Sequence, residues 1–195
     1  MRDTLDGKNH NPKVVLLGNT GTGKTTILYN FLRRNSDEGT LPTIGCQSFE
    51  VGVNIEGKRV GLNVWDTAGQ EMYRSIVPIY LRNANAALLV YDCNDDNSFQ
   101  ALDSWNSLLM EEQTNEVPIF VVCNKIDMIN DLSVSETVAQ NFCKKVRGTL
   151  YKVSGLTGAG VQELFEVVAK TAVVGFSSIS VIHEPRVNDE SKGCC

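Results

Sequence analysis

The chain has 195 residues, 42% of them hydrophobic, with 23 acidic against 18 basic side chains and a formal net charge of -5. That length and apolar content suit one domain with a full core, and the acidic balance excludes a broad basic surface for a phosphate backbone, so no nucleic-acid partner is expected. No apolar run of about 18 residues occurs and Met1 to Asn11 is polar, so neither a spanning helix nor a secretory leader is visible and synthesis in the cytosol is expected.

Lys13 to Leu17 (KVVLL) is a β-branched run that stops at Gly18, and from Lys24 the residues Ile27, Leu28, Phe31 and Leu32 recur at helical spacing. This predicts strand, glycine-rich loop, helix. Phe49, Val51, Val53 and Ile55 alternate with polar or small residues, and Glu56-Gly57 separates them from Val60, Leu62 and Val64 at the same period, which predicts a β-hairpin. Ala86 to Tyr91 and Val117 to Cys123 are continuous apolar runs, as in parallel strands buried on both faces. Helical patterns over Ser98 to Met110, Ser133 to Lys145 and Val161 to Ala172 separate or follow them, with a short strand at Tyr151 to Val153. Such alternation predicts a doubly wound α/β sheet with its ligand at the carboxyl ends of the strands. The expected organisation is an N-terminal extension over 1–12, one domain over 13–174 and a mobile polar tail over 175–195. Cys46, Cys93, Cys123 and Cys143 are scattered singly, which suits reduced thiols in or near the core rather than metal ligands.

Gly18-Asn19-Thr20-Gly21-Thr22-Gly23-Lys24-Thr25 fits the phosphate-loop pattern G-x-x-x-x-G-K-[ST], placed between strand and helix as that pattern requires. The glycines let successive N–H groups of Asn19 through Thr26 converge on phosphate oxygens, and the helix N-terminus adds positive potential. Lys24 reaches the outer phosphates and Thr25 offers a hydroxyl to Mg²⁺. The full motif in this context favours a phosphate site over an ordinary glycine-rich turn.

A phosphate loop does not choose between ATP and GTP. Asn124-Lys125-Ile126-Asp127 follows the apolar run ending at Cys123 and resembles the N-K-x-D element of the Ras superfamily. Through that resemblance Asn124, Lys125 and Asp127 would bind guanine, with the Asp127 carboxylate accepting from the two donors of the base edge. Trp65-Asp66-Thr67-Ala68-Gly69-Gln70-Glu71 is similar to the second switch of the Rab branch, as are the stretches from Lys58 to Thr67, Tyr80 to Ala84 and Leu89 to Asp92 to other Rab segments. The resemblance implies that Asp66 helps hold Mg²⁺, that Gly69 offers its N–H to the γ-phosphate, and that Gln70 orients the attacking water, with Lys24 the other catalytic group. Thr43, in Leu41-Pro42-Thr43-Ile44-Gly45, matches the first-switch threonine that binds both Mg²⁺ and the γ-phosphate. Ser154-Gly155-Leu156 resembles the S-A-K guanine loop, with only Ser154 matched. The resemblance covers about Lys13 to Ala172. It implies a six-stranded, mostly parallel sheet with one antiparallel edge strand and helices on both faces, and a monomer that cycles between GDP and GTP and hydrolyses GTP slowly in membrane traffic.

Several positions depart from the family. Ser36 stands where an aromatic ring usually covers guanine, and Thr40 where a tyrosine often covers the phosphates. Thr20 places a β-branched side chain in the phosphate loop, where it would crowd the water and any inserted arginine. Cys46-Gln47-Ser48-Phe49 differs from the Rab pattern, which leaves effector identity open. Gly193-Cys194-Cys195 is similar to Rab ends that carry geranylgeranyl groups on both thiols, and two lipid chains hold a protein stably where one does not. The resemblance further implies an exchange factor, a GTPase-activating protein, effectors and a prenyl-binding carrier. It places the protein on the cytoplasmic face of an intracellular membrane, with a carrier-bound cytosolic pool. The alternatives are a nucleotide-dependent scaffold with little hydrolysis and a phosphate-loop ATPase or phosphotransferase.

Overall fold

The computed structural model describes residues 11–35, 46–67, 77–128 and 133–180. In chain order these form β1 (Lys13–Leu17), α1 (Lys24–Asn35), β2 (Cys46–Ile55), β3 (Lys58–Thr67), α2 (Val77–Leu81), β4 (Ala86–Asp92), α3 (Asp96–Gln100), α4 (Leu102–Glu111), β5 (Ile119–Asn124), α5 (Glu136–Val146), β6 (Thr149–Lys152) and α6 (Val161–Ser180), with one 3₁₀ turn at Ile126–Met128. The strand order is β2-β3-β1-β4-β5-β6. Only β2 runs antiparallel to its neighbour, so the expected six-stranded sheet with one antiparallel edge is what forms.

The hairpin registers Phe49 against Val64, Val51 against Leu62 and Val53 against Val60. Its two-residue turn puts both Glu56 and Gly57 at positive φ, 50° and 81°, the backbone whose twist suits a tight hairpin. The alternation of β1 divides the core into two layers. Val14 and Leu16 face the layer with Ile27, Phe31 and Phe165 of α1 and α6, while Val15 and Leu17 face the layer with Leu81, Trp105 and Phe142 of α2, α4 and α5. Helices therefore cover both faces, and β4 and β5 are buried along their lengths as their apolar runs predict.

Several boundaries differ from expectation, each for a local reason. The pattern over Ser98 to Met110 is two helices. The Asp95 side chain caps α3 by accepting from Asn97 N–H, and α3 gives way to α4 at Ala101. The fifth strand starts at Ile119, not Val117, because Pro118 has no N–H to donate; its carbonyl still accepts from Ala87 N–H at 3.0 Å. Ser135 caps α5, so that helix begins at Glu136, and Arg147 at φ 53° with Gly148 ends it and turns the chain straight into β6 at Thr149, ahead of the expected Tyr151. The last helix does not stop at Ala172. It continues through Gly175 to Ser180, because no proline interrupts it and one internal glycine costs only about 1 kcal/mol, so the tail expected from Gly175 begins as helix.

Candidate functional site

The carboxyl ends of β1, β3, β4 and β5 lie side by side, and the loops leaving them make one site. After β1, Gly18 adopts φ 143° with its Cα against the backbone of β4, where a Cβ would lie 2.1 Å from the Val90 carbonyl oxygen. Gly23 adopts φ 89°, and a Cβ there would lie 2.3 Å from Asn124 Nδ2. No other residue fits either place without displacing backbone or a buried amide. The chain then enters α1 with Lys24 buried and its ammonium donating to the carbonyls of Gly18 at 2.7 Å and Asn19 at 2.8 Å. Burial pushes the Lys24 amine down to about 8, against the opposing pull of the Asp66 carboxylate. Thr22 Oγ1 also donates to the Asn19 carbonyl at 2.9 Å, and Thr20 and Gly21 are exposed at the tip.

Thr25 Oγ1 donates to Asp66 Oδ2 at 2.5 Å, across from α1 to the end of β3. Asp66 is wholly buried, and the next residue, Thr67, pins that end of β3 to β1 by donating to the Leu16 carbonyl at 2.6 Å. A hydroxyl and a carboxylate held face to face are hard oxygen donors, which suits Mg²⁺.

The loop after β5 is tied to the phosphate loop by the Asn124 side chain. Asn124 Nδ2 donates to the Thr22 carbonyl at 2.7 Å while Asn124 Oδ1 accepts from Gly155 N–H at 2.9 Å. Lys125 takes φ 66° and pairs with Asp92 Oδ2 at 2.7 Å. Partial burial raises Asp92, but the hydrogen bonds from Lys125 and Asn94 outweigh it and hold the carboxyl below its ordinary range. Asp127 Oδ1 accepts from Ser154 Oγ at 2.5 Å, and Ser154 Oγ accepts in turn from Thr157 N–H at 3.0 Å. This fixes the Asp127 carboxylate from behind. Gly155 packs on the first turn of α1, where a Cβ would lie 3.0 Å from Ile27 N, and Leu156 is exposed with its carbonyl accepting from Asn30.

Asn19, Thr22, Gly23, Lys24, Thr25, Asp66, Asn124, Lys125, Asp127, Ser154 and Gly155 thus converge, with Thr20, Gly21, Thr26 and Leu156 at the rim. Thr43, Gly69, Gln70, Ser36, Thr40, Cys194 and Cys195 lie outside the described residues. Cys93, Cys123 and Cys143 are buried free thiols and Cys46 is a half-buried one. Asp92, which orders Lys125, was not singled out from sequence, although its place at the carboxyl end of an apolar strand was a usable signal. Trp105, whose indole N–H reaches Asn19 Oδ1 at 2.9 Å, carried no such signal among the apolar positions of a helix.

Sheet order, phosphate loop and base loop together define a small guanine-nucleotide-binding protein of the phosphate-loop class. The sequence model of the Ras family matches residues 13–174. Ras-related protein Rab-21 of Bos taurus is 33% identical over 187 residues, covering 96% of this chain and 80% of the relative. Rab-21 of Geodia cydonium is 37% identical over 158 residues, 81% of this chain and 69% of the relative. The GTP-binding protein YPT53 of Saccharomyces cerevisiae is 33% identical over 164 residues, 81% of this chain and 74% of the relative. The chain belongs to the Ras family and is a Rab-type small GTPase. That membership displaces the ATPase and phosphotransferase alternative.

Proposed function

We propose that the protein is a membrane-traffic switch that binds GDP and GTP through the loops of Gly18 to Thr26, Asn124 to Asp127 and Ser154 to Leu156. The observation that carries this reading is the Asp127 carboxylate, braced by Ser154 and joined through Asn124 to the phosphate loop, so that base recognition and phosphate binding form one hydrogen-bonded unit. A site built to bond particular base-edge groups strongly rejects an analogue that lacks them. Lys24 carries its charge to the outer phosphates, and Gln70 orients the attacking water. Thr25, Thr43 and Asp66 hold Mg²⁺, which neutralises charge on the phosphate oxygens. The segments containing Thr43 and Gly69 differ between the GDP and GTP forms; effectors read the GTP form, an activating protein ends it and an exchange factor restores it.

Lipids on Cys194 and Cys195 hold the protein on the cytoplasmic face of an intracellular membrane, with a prenyl-binding carrier keeping a cytosolic pool. Among the described residues no helix is long and apolar enough to cross a membrane. Nucleotide extracted from the purified protein is expected to be GDP or GTP. Equal binding of GTP and ATP would refute the reading of Asp127. Changing both terminal cysteines to serine is expected to leave the protein wholly soluble in cells, and a variant that still sediments with membranes would refute the anchor.

A further inference from the structure

Helix α4 lies against the sheet with Trp105 buried among the residues of the second core layer, and neither belongs to any nucleotide-binding loop. A buried indole N–H needs an acceptor, and here the acceptor is Asn19 Oδ1, 86 residues away in the phosphate loop, at 2.9 Å. Asn19 is a junction. Its main-chain carbonyl takes the Lys24 ammonium at 2.8 Å and the Thr22 hydroxyl at 2.9 Å, and Thr22 in turn gives its own carbonyl to Asn124. The peptide of Asn19 must therefore keep one orientation for Lys24, Thr22 and the base loop to stay aligned. Its predecessor, Gly18, is at φ 143° and supplies no side chain to hold it.

We infer that Trp105 is a positioning residue for nucleotide binding: through the Asn19 side chain it fixes the orientation of the Asn19 carbonyl, and so the place of Lys24, without touching nucleotide. This rests on the proposed guanine-nucleotide reading. The indole is suited to the task because its ring is held by packing on the sheet, so its one N–H has little freedom to search for another acceptor. Without the bond, the loop samples other carbonyl orientations and part of the binding energy is spent in ordering it.

The test is a double-mutant cycle on release of a fluorescent GDP analogue, using the full chain with Trp105→Phe, Asn19→Ala and the pair together. Asn19→Ala, which leaves the core intact, is expected to speed release about 3- to 10-fold, the scale of one net hydrogen bond. Trp105→Phe should speed it at least as much, and the double variant no more than the faster single one, because both changes break the same bond. The preference for guanine over adenine should be unchanged in all three, since the Asp127–Ser154 pair is untouched; a merely structural tryptophan would yield losses that multiply. Asn19→Ala releasing at the unmutated rate, or a double variant whose acceleration is the product of the two singles, overturns the inference. An unmutated chain that fails to retain GDP overturns the guanine-nucleotide reading instead.

Discussion

Replacing Asn124 with alanine removes a side chain that joins the phosphate loop to the base loop. In the native chain Asn124 is 1% exposed and makes two bonds, from its Nδ2 to the Thr22 carbonyl and to its Oδ1 from Gly155 N–H. Truncation strands both main-chain partners in a buried place. A buried donor or acceptor left without a partner costs about 1 to 3 kcal/mol, so the two together cost about 2 to 6 kcal/mol of folding stability. For a domain of this size each kcal/mol lowers Tm by about 2 to 4 °C, which puts the expected fall near 12 °C at the middle of both ranges. The assay is thermal unfolding of nucleotide-free protein, where loss of ligand stabilisation cannot contribute. An unchanged Tm, within about 2 °C, would refute the claim that Asn124 holds the two loops together.

Nucleotide binding is expected to take up protons above pH 8. In the free protein burial pushes the Lys24 amine down from 10.5 to about 8, and arriving phosphates favour its charged form, so affinity for GDP falls as pH rises through 8. Calorimetry in buffers of different ionisation enthalpy should show about half a proton taken up near pH 8 and more at pH 9; no uptake, or the same uptake in Lys24→Met, would contradict it. Ser36→Phe is expected to slow GDP release, by up to the 5- to 150-fold that stacking worth about 1 to 3 kcal/mol represents. Phe31 offers no substitute ring, being fully buried and stacked on Phe165 at 4.2 Å; equal release rates would place Ser36 away from the base. Intrinsic hydrolysis is expected on the order of 10⁻⁴ s⁻¹, rising only with a protein partner, and Gln70→Leu should hold the GTP form. Unassisted single-turnover hydrolysis near 1 s⁻¹ would exclude this catalytic arrangement.

The chemistry of the site was legible where its residues are contiguous. Gly18 to Thr25 declare a phosphate loop because strand, glycines, lysine and threonine must follow one another along the chain, and period-2 alternation around Glu56-Gly57 can only make a hairpin. Helix and strand ends were less legible, because capping by Asp95 and the missing N–H of Pro118 act through single hydrogen bonds that an apolar period does not register. What the tertiary structure alone decided is who meets whom. The order β2-β3-β1-β4-β5-β6 brings the ends of β1 and β5 to the two sides of β4, and only then can Asn124 reach Thr22 across 102 residues. Side-chain bonds between distant segments, like those of Asp127 to Ser154 and Asn19 to Trp105, depend on strand order and helix placement, which no local pattern of polarity encodes.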